Sequence, residues 1–263
     1  MTSNSEQQTT QPDSSAPSAT ATTTENRIQL ELDLATLASR WSSLPEPIQK
    51  HLWRSVPEVP YVMNSLFWMW NKTKTRDDQD PIRPYKPFPD REYFLALHKI
   101  YLAEPVMFVE KSRTMMASWW AAGETVHFCM THQPSKGIFW SQDEDRSVAL
   151  LDYAKCLYGQ QDAIFRDIFP LKRPMDRQNT TTLEFSDGGK LIALPGKDPD
   201  KIRSEHPSIL VIDEACFIEN GGEAFDIAIS SKVPKVIVVS SAAPSWFRRL
   251  TKDARPIPLE TYL

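Results

Sequence analysis

From Asp90 onward, the sequence alternates short, continuous apolar runs with longer segments of helical pattern. Four of these runs are typical of buried strands, and they are Val106–Val109, Gly137–Trp140, Ile209–Ile212 and Val236–Val239. A strand that is apolar along its whole length is covered on both faces, and strands separated by helices favour parallel pairing. The pattern therefore predicts an α/β fold with a mainly parallel sheet flanked by helices.

Two local patterns refine this prediction. Ser141 and Glu144 have the spacing of a capping box, which predicts the start of a helix that Gly159 ends. Thr180–Phe185 and Lys190–Leu194 flank the sequence Ser-Asp-Gly-Gly, which predicts a β-hairpin.

The N-terminal third differs in composition from the rest of the chain. Residues 1–26 are mostly Ser, Thr, Gln, Ala and Pro, and such a segment buries too little apolar surface to offset its ordering entropy. We therefore predict a disordered tail there, followed by a small helical extension and linker over residues 27–84. Within the extension, Leu30–Trp41 has a helical pattern, Ser65–Trp70 is apolar enough for a core, and the charged, Pro-rich Lys72–Pro89 is typical of a linker.

The segment after the first predicted strand has some features of a phosphate-binding loop. The standard loop reads G-x-x-x-x-G-K-[ST]: its glycines let backbone N–H groups approach the phosphates, its lysine reaches the outer phosphates and its hydroxyl meets Mg²⁺. Here Ser118 supplies the hydroxyl, but Met116 and Ala117 replace the Gly-Lys pair. Lys111 stands at the opposite end, from which its flexible side chain can still reach a phosphate, and Arg113 adds a planar donor fork. The alternative is a strand end with solvated basic residues.

An acidic pair follows the third apolar run. Ile209–Ile212 delivers Asp213 and Glu214 to the carboxyl end of a predicted strand, where ligands bind in open α/β sheets. Asp213 could hold Mg²⁺, and Glu214 could orient or deprotonate an attacking water. Such a pair also occurs by chance at strand-to-loop junctions. Because it follows the Lys111 loop in order, it favours a nucleoside-triphosphate hydrolase.

Small hydroxyl residues, Ser240 and Ser241, end the fourth apolar run. Beside the acidic pair, they could sense the terminal phosphate and transmit its loss. A polar turn before a helix explains the same composition.

The overall charge excludes a polycation that binds nucleic acid non-specifically, since the formal net charge is −4. A local cluster of Arg248, Arg249, Lys252 and Arg255 could nevertheless contact DNA phosphates, and a solvated helix end explains it equally well. No base-reading motif is visible in the sequence.

The cysteines and apolar runs indicate a reducing cytoplasm. Cys129, Cys156 and Cys216 form no Cys-x-x-Cys pair, which favours free thiols over a disulfide framework or a zinc site. No apolar run approaches the roughly 20 residues of a membrane helix, and the N-terminus is polar rather than basic and then apolar. We therefore predict no membrane partner.

The loop Lys111–Trp119 resembles the deviant phosphate loop of the large terminase subunits of tailed bacteriophages and prophages, in many of which the lysine begins the loop. The likeness covers about Tyr85 to Leu250, and the ordered set of motifs is more specific than any one of them. The further similar segments are Pro87–Phe94, Ile138–Gln142, Leu191–Gly196, Arg203-Ser204 with Pro207-Ser208, Leu210–Ala215 and Ser240–Ala242.

This resemblance implies a P-loop NTPase of the additional-strand, RecA-like (ASCE) class over residues 85–263. It implies an ATP-hydrolysing motor that drives double-stranded DNA into a procapsid in the cytoplasm of a bacterial host. The implied partners are the small terminase subunit, the portal protein and further copies of the chain in a ring on the procapsid. ATP is the implied substrate and Mg²⁺ the implied cofactor.

The resemblance also implies roles for individual residues. Lys111 and Ser118 contact the nucleotide phosphates and Mg²⁺, and Arg113 is a candidate for charge stabilisation in the transition state. Asp213 binds the metal, and Glu214 acts on water. The implied nucleotide-binding loop is Lys111, Ser112, Arg113, Thr114, Met115, Met116, Ala117 and Ser118.

Three further expectations follow from the resemblance. Ser240 and Ser241 correspond to the family's coupling motif. Arg91 and Tyr93 lie in the region of the adenine-contacting residue, although neither is assigned that role. The end at Leu263 leaves no room for the ribonuclease H-type domain of large terminase subunits, so we expect an isolated motor domain, a split subunit or a truncated prophage remnant, without nuclease activity.

Two other functions compete with the packaging motor. One is a helicase-like DNA-dependent ATPase, which shares the acidic pair and a Ser-Ala type coupling motif. The other is a catalytically inactive prophage remnant that acts as a DNA or portal adaptor. The presence of Lys111, Asp213 and Glu214 favours activity over the second alternative.

Overall fold

A six-stranded sheet organises the part of the chain that the computed structural model describes, which is Leu37 and residues 40–112, 115–132 and 134–252. The strands are β1 (Lys74–Arg76), β2 (Tyr85–Pro87), β3 (Val106–Glu110), β4 (Lys136–Ser141), β5 (Thr182–Glu184), β6 (Lys190–Pro195), β7 (Ile209–Asp213) and β8 (Lys235–Ser240). The α-helices are α1 (Glu46–Ser55), α2 (Val59–Met63), α3 (Ser65–Lys72), α4 (Glu92–Ala103), α5 (Ala117–Thr131), α6 (Glu144–Gly159), α7 (Ala163–Ile168), α8 (Asp200–Glu205), α9 (Gly221–Ser230) and α10 (Trp246–Lys252).

The strand order of the main sheet is β3-β8-β7-β4-β6-β5. Neighbouring strands from β3 to β6 are parallel, and β5 pairs antiparallel with β6 at one edge. Strand β8 therefore lies between β3, which precedes the predicted phosphate loop, and β7, which carries the acidic pair. An inserted strand at this place defines the additional-strand class, so the predicted α/β fold class is confirmed, as is the predicted β5–β6 hairpin.

Both faces of the sheet are buried, which explains why its strands are apolar along their whole length. On β4, Phe139 packs into the core formed with helices α2 to α7, whereas Ile138 and Trp140 pack on the opposite side against α8, α9 and α10. Strand β7 alternates in the same way, with Val211 on the first side and Ile212 on the second. The sheet and its helices thus form three layers.

The N-terminal helices share the first of these cores. Leu66 and Met69 of α3 are fully buried together with Trp120 of α5, which confirms that the apolar stretch 65–70 belongs to a core. Gly123 on α5 makes this approach feasible, because a Cβ built there would lie 2.1 Å from Sδ of Met69. Trp68 also donates from its indole to Oε1 of Gln161 at 2.9 Å.

The start of α6 differs from the prediction. The N-cap is Asp143, whose Oδ1 accepts from the backbone N–H of Arg146 at 2.9 Å. Ser141 instead ends β4, and its hydroxyl donates to the carbonyl oxygen of Asp213. The predicted Ser141–Glu144 capping box is therefore wrong, because the tertiary contact to β7 engages the serine, and Gly159 is the last helical residue rather than the residue beyond it.

The Pro-rich stretch 72–89 contains the antiparallel pair β1–β2 rather than an extended linker alone. The pair lies against α6, where Cys156 Sγ is 3.6 Å from the carbonyl oxygen of Lys74. The predicted tail over residues 1–26 and nearly all of the predicted helix 30–41 lie outside the described residues. Within the described ranges, no helix combines the length and the apolar character needed to cross a bilayer.

Candidate active site

Four polar residues meet at one edge of the sheet. Lys111 directly follows β3, while Ser141, Asp213 and Ser240 are the last residues of β4, β7 and β8. Because these strands are parallel neighbours, their carboxyl ends lie at the same edge, which is where open α/β sheets place their ligands. Strand order thus brings together residues that are distant in sequence.

The loop between β3 and α5 contains a non-glycine residue in a backbone conformation that glycine usually adopts. Met116, the residue before the first turn of α5, has φ 51° and ψ 24°, in the left-handed region that favours glycine. Its carbonyl accepts from Trp120 N–H at 3.0 Å, and Tyr93 donates its hydroxyl to the carbonyl of Met115 at 2.9 Å. The predicted loop residues Arg113 and Thr114 lie outside the described residues, and Ser112 accepts from Met115 N–H at 3.4 Å.

The side chains of Lys111, Ser118, Asp213 and Glu214 form one cluster. The ammonium of Lys111 lies 3.1 Å from Ser118 Oγ, 3.2 Å from Glu214 Oε1 and 3.8 Å from Asp213 Oδ1. Ser118 donates to the Asp213 carboxylate, with Oγ 3.0 Å from Oδ2. The structure therefore brings together the lysine, the hydroxyl and both acids that the sequence singled out.

The electrostatics of the cluster centre on a buried carboxylate. The side chain of Asp213 is 11% exposed, and burial raises its pKa. The nearby Glu214 carboxylate raises the pKa of Asp213 further, whereas the Lys111 ammonium and the Ser118 hydroxyl stabilise the ionised form and oppose the increase. The charged lysine therefore offsets part of the cost of burying this carboxylate.

The backbone separates the two adjacent acids. Asp213 ends β7 in regular geometry, whereas Glu214 has φ 52°, in the left-handed region, and a 3₁₀ turn over Ala215–Phe217 follows. The reversal leaves the Glu214 side chain 24% exposed and facing the cavity, while Asp213 stays buried. Neighbouring residues thus acquire different environments.

Ser240 is hydrogen-bonded both to Lys111 and to the turn that follows Glu214. Its carbonyl accepts from Lys111 N–H at 2.9 Å, and its hydroxyl accepts from Cys216 N–H at 2.9 Å and donates to the carbonyl of Ser241. The end of β8 is therefore bonded both to the start of the phosphate loop and to the turn that follows Glu214. Ser240 is fully buried.

Two adjoining cavities open at the cluster. The inner cavity has a volume of about 430 Å³ and includes Ser118, Asp213 and Glu214 in its wall. The outer one has a volume of about 420 Å³ and is lined by Lys111, Gln142, Arg146, Glu214, Phe217 and Ser241. These volumes fall within the range of small-molecule sites.

Three aromatic or charged residues that line the inner cavity were not predicted from the sequence, namely Trp119, Arg146 and Tyr153. Trp119 of α5 stacks on Tyr153 of α6, with ring centroids 4.2 Å apart and an interplanar angle of 18°. Arg146 lies two turns before Tyr153 on the same face of α6, so both reach the cavity. Arg146 could have been predicted from the sequence, because it is a cation shortly after the carboxyl end of β4. No local sequence pattern identifies Tyr153 as a cavity residue.

The oxygen groups present fit a magnesium ion. Mg²⁺ is usually held by one or two carboxylates together with substrate phosphates and water, and the Ser118 hydroxyl and Asp213 carboxylate provide a hard oxygen pair 3.0 Å apart. Among the described residues, no group of three or more His, Cys, Asp or Glu side chains could hold a metal ion by itself. The Ser118 and Asp213 oxygens are the kind of ligands that could share Mg²⁺ with a phosphate.

Arg91 and Tyr93, noted in the region of the adenine-contacting residue, are not among the described residues that line either cavity. Arg91 is exposed, and Tyr93 donates its hydroxyl to the carbonyl of Met115, as described above. In the predicted basic cluster, Arg248 pairs with Glu110, with Nη1 2.9 Å from Oε2. Arg249 and Lys252 are exposed on α10, and Arg255 lies outside the described residues.

Comparisons with solved structures identify similar folds. The chain is similar to the large terminase of bacteriophage HK97, with a TM-score of 0.51, 10% identity, and coverage of 68% of this chain and 37% of that chain. It is also similar to the large terminase ATPase domain of Thermus phage P74-26, with a TM-score of 0.48, 14% identity, and coverage of 62% of this chain and 69% of that chain.

At this level of identity the HK97 likeness establishes a shared fold, and it spans little more than a third of the HK97 protein. The resemblance to phage large terminases inferred from the motifs is confirmed to that extent. No protein-family model matches the chain, and no curated protein matches it.

Proposed function

We propose that this chain binds and hydrolyses ATP with Mg²⁺ and uses the reaction to move double-stranded DNA, as the motor of viral genome packaging. The observation that carries the proposal is the meeting of Lys111, Ser118, Asp213 and Glu214 in one cavity at the carboxyl edge of a parallel sheet. The fold shared with a phage large terminase supports a DNA-packaging motor over other kinds of ATPase.

The first step in this function is binding of the triphosphate. The ammonium of Lys111 lies between the loop and the two acids, 3.1 Å from Ser118 Oγ, 3.2 Å from Glu214 Oε1 and 3.8 Å from Asp213 Oδ1. A bound triphosphate would draw the ammonium towards its oxygens. Ser118 and Asp213 would then hold Mg²⁺, which neutralises phosphate charge and polarises the terminal phosphoryl group.

The second step is activation of water. Glu214 is adjacent to the metal-binding carboxylate but more exposed and turned into the cavity by its left-handed backbone. It can therefore accept a hydrogen bond from a water molecule and orient that water towards the terminal phosphate. Its Oε1 lies 3.2 Å from the ammonium of Lys111.

The third step is the transmission of phosphate loss. Ser240 is hydrogen-bonded to Lys111 and Cys216, so a displacement of either loop reaches the end of β8. Ser241, the next residue, lines the outer cavity beside Glu214. We assign these two serines to coupling, and we assign the loop 111–118 to nucleotide binding.

The proposed setting is a procapsid in the cytoplasm of a bacterial host. The portal protein, the small terminase subunit and further copies of this chain in a ring are the proposed partners, with double-stranded DNA as cargo. The exposed Arg249 and Lys252 on α10 are candidates for contacts with DNA phosphates.

The test is ATP hydrolysis by the purified chain with Mg²⁺, with and without linear duplex DNA. We expect slow hydrolysis that DNA stimulates. DNA binding without any hydrolysis would instead support an adaptor, and strand separation would support a helicase-like ATPase. Absence of both nucleotide binding and DNA binding would refute the proposal.

A further inference from the structure

Arg146 lies at the junction of the two cavities. Among the described residues, those that line both cavities are Lys111, Arg146 and Glu214. A side chain at this junction faces the phosphate loop on one side and Ser241, assigned to coupling, on the other.

The base of the Arg146 side chain is held in place. Its backbone N–H donates to Asp143 Oδ1 at 2.9 Å in the first turn of α6. The next residue, Ser147, donates its hydroxyl to the carbonyl of Leu194 at 2.6 Å and accepts from Ser141 N–H at 3.0 Å. These bonds anchor the first turn of α6 to β4 and β6, so the guanidinium pivots from a fixed point.

The guanidinium itself is weakly engaged. Its ion pair with Asp143 has Nε 3.5 Å from Oδ2, and both side chains are about half exposed, at 52% and 44%. Exposed pairs of this kind contribute little to stability because solvent screens them. The arginine can therefore leave Asp143 and pair with another anion at a small cost in free energy.

A triphosphate bound beside two carboxylates would be stabilised by a second cation in addition to Lys111. Lys111 already faces two carboxylates, at 3.2 and 3.8 Å. A triphosphate adds further negative charge beside Asp213 and Glu214, and like charges at these distances repel. Among the described residues that line the inner cavity, Arg146 is the cation besides Lys111.

We propose that Arg146 binds the terminal phosphate of ATP from within the same chain, and this rests on the function proposed above. Glu214, assigned to the attacking water, lines both cavities together with Arg146, so the guanidinium would meet the terminal end of a bound triphosphate. A planar guanidinium can donate two parallel hydrogen bonds to one phosphate, replacing the single contact with Asp143. Arg146 thereby distinguishes ATP from ADP.

The experiment compares nucleotide affinities by calorimetry with Mg²⁺, using the non-hydrolysable β,γ-imido analogue of ATP and using ADP. We expect Arg146→Ala to weaken the analogue about ten- to hundredfold, as for the loss of a hydrogen-bonded ion pair. The affinity for ADP should stay within about twofold, since ADP lacks the terminal phosphate. Arg146→Lys, which retains the charge without the fork, should recover part of the loss.

Arg177→Ala is the matched control, because it removes an exposed arginine from a 3₁₀ turn that does not line either cavity. It should bind both nucleotides as the unaltered protein does. An unchanged affinity of Arg146→Ala for the analogue, or an equal loss for the analogue and ADP, would overturn the assignment of Arg146 alone. A lack of nucleotide binding by the unaltered protein would refute the proposed function as well.

Discussion

Oγ of Ser118 lies 3.0 Å from Oδ2 of Asp213, although 95 positions separate the two residues in the chain. The contact joins the first turn of the helix after β3 to the end of β7, across the inserted strand β8. It places a hydroxyl and a carboxylate where they can share a cation, and Lys111 lies beside both.

Glu214→Gln should abolish ATP turnover and leave nucleotide binding largely unchanged. The amide keeps the size of the side chain but cannot accept a proton from water. Steady-state hydrolysis and calorimetric binding measure the two effects separately. Glu219→Gln, an exposed substitution shortly after the same strand, is the control and should retain activity. Full activity of Glu214→Gln would remove Glu214 from its assigned role.

Lys111→Ala should weaken nucleotide binding about ten- to hundredfold, because a charged hydrogen bond to the phosphates is lost. The same change leaves Asp213 and Glu214 without their ammonium partner. Titration with a fluorescent ATP analogue measures the affinity, with the exposed Lys201→Ala as control. An affinity equal to that of the unaltered protein would place the phosphate-binding lysine elsewhere.

Met116→Val should be less stable than Met116→Gly, although valine has the larger apolar side chain. Met116 has a left-handed backbone, which glycine adopts freely and a β-branched residue resists at a cost of about 1–3 kcal/mol. We therefore expect the valine variant to have the lower free energy of unfolding in urea. Equal stability of the two variants would show that the backbone at position 116 is not left-handed in solution.

Ser240→Ala and Ser241→Ala should differ in their effect on the stability of the fold. Ser240 is fully buried and accepts from Cys216 N–H, so its loss leaves a part-buried donor unpaired and costs on the order of 1 kcal/mol. Ser241 lines the outer cavity and is partly exposed, so its replacement should preserve the melting temperature and reduce stimulation of hydrolysis by DNA. A Ser241→Ala protein with full DNA stimulation would exclude this serine from coupling.

His127 should make the fold sensitive to acid. Burial lowers the pKa of His127 from 6.5 to about 3, and its Nε2 lies 2.9 Å from the carbonyl oxygen of Tyr61. Because the folded pKa is depressed, the unfolded chain binds a proton first as pH falls through 6.5. The contribution of His127 to the free energy of unfolding is therefore fully present above that pH and is lost progressively towards pH 3.

The corresponding measurement is urea unfolding at pH 7.5 and pH 5 for the unaltered chain and for His127→Gln. Glutamine keeps a donor for Tyr61 but does not titrate, so the variant should lose less stability between the two pH values. An identical loss in both proteins would show that His127 does not contribute to the acid sensitivity.

Local patterns predicted the strands of the main sheet and the presence of α6 correctly, because these patterns depend on residues close in sequence. They failed at the start of α6, where Ser141 bonds to Asp213 and Asp143 caps the helix. The sequence also pointed to Lys111 and the acidic pair, since each stands at the end of an apolar run. Arg146 was not predicted, although it closely follows the carboxyl end of β4, because its relevance depends also on the position of β4 beside β7.

By itself, the sequence determined the class of the fold and the polar residues at the carboxyl ends of its strands. Apolar runs and helical periods are local properties that every compact structure of this chain must satisfy. Tertiary structure alone decided that β8 lies between β3 and β7, that Met116 takes the conformation usual for glycine, and that Arg146 joins the cluster. These outcomes depend on which strands become neighbours, and that is set by the packing of the whole core rather than by any short segment.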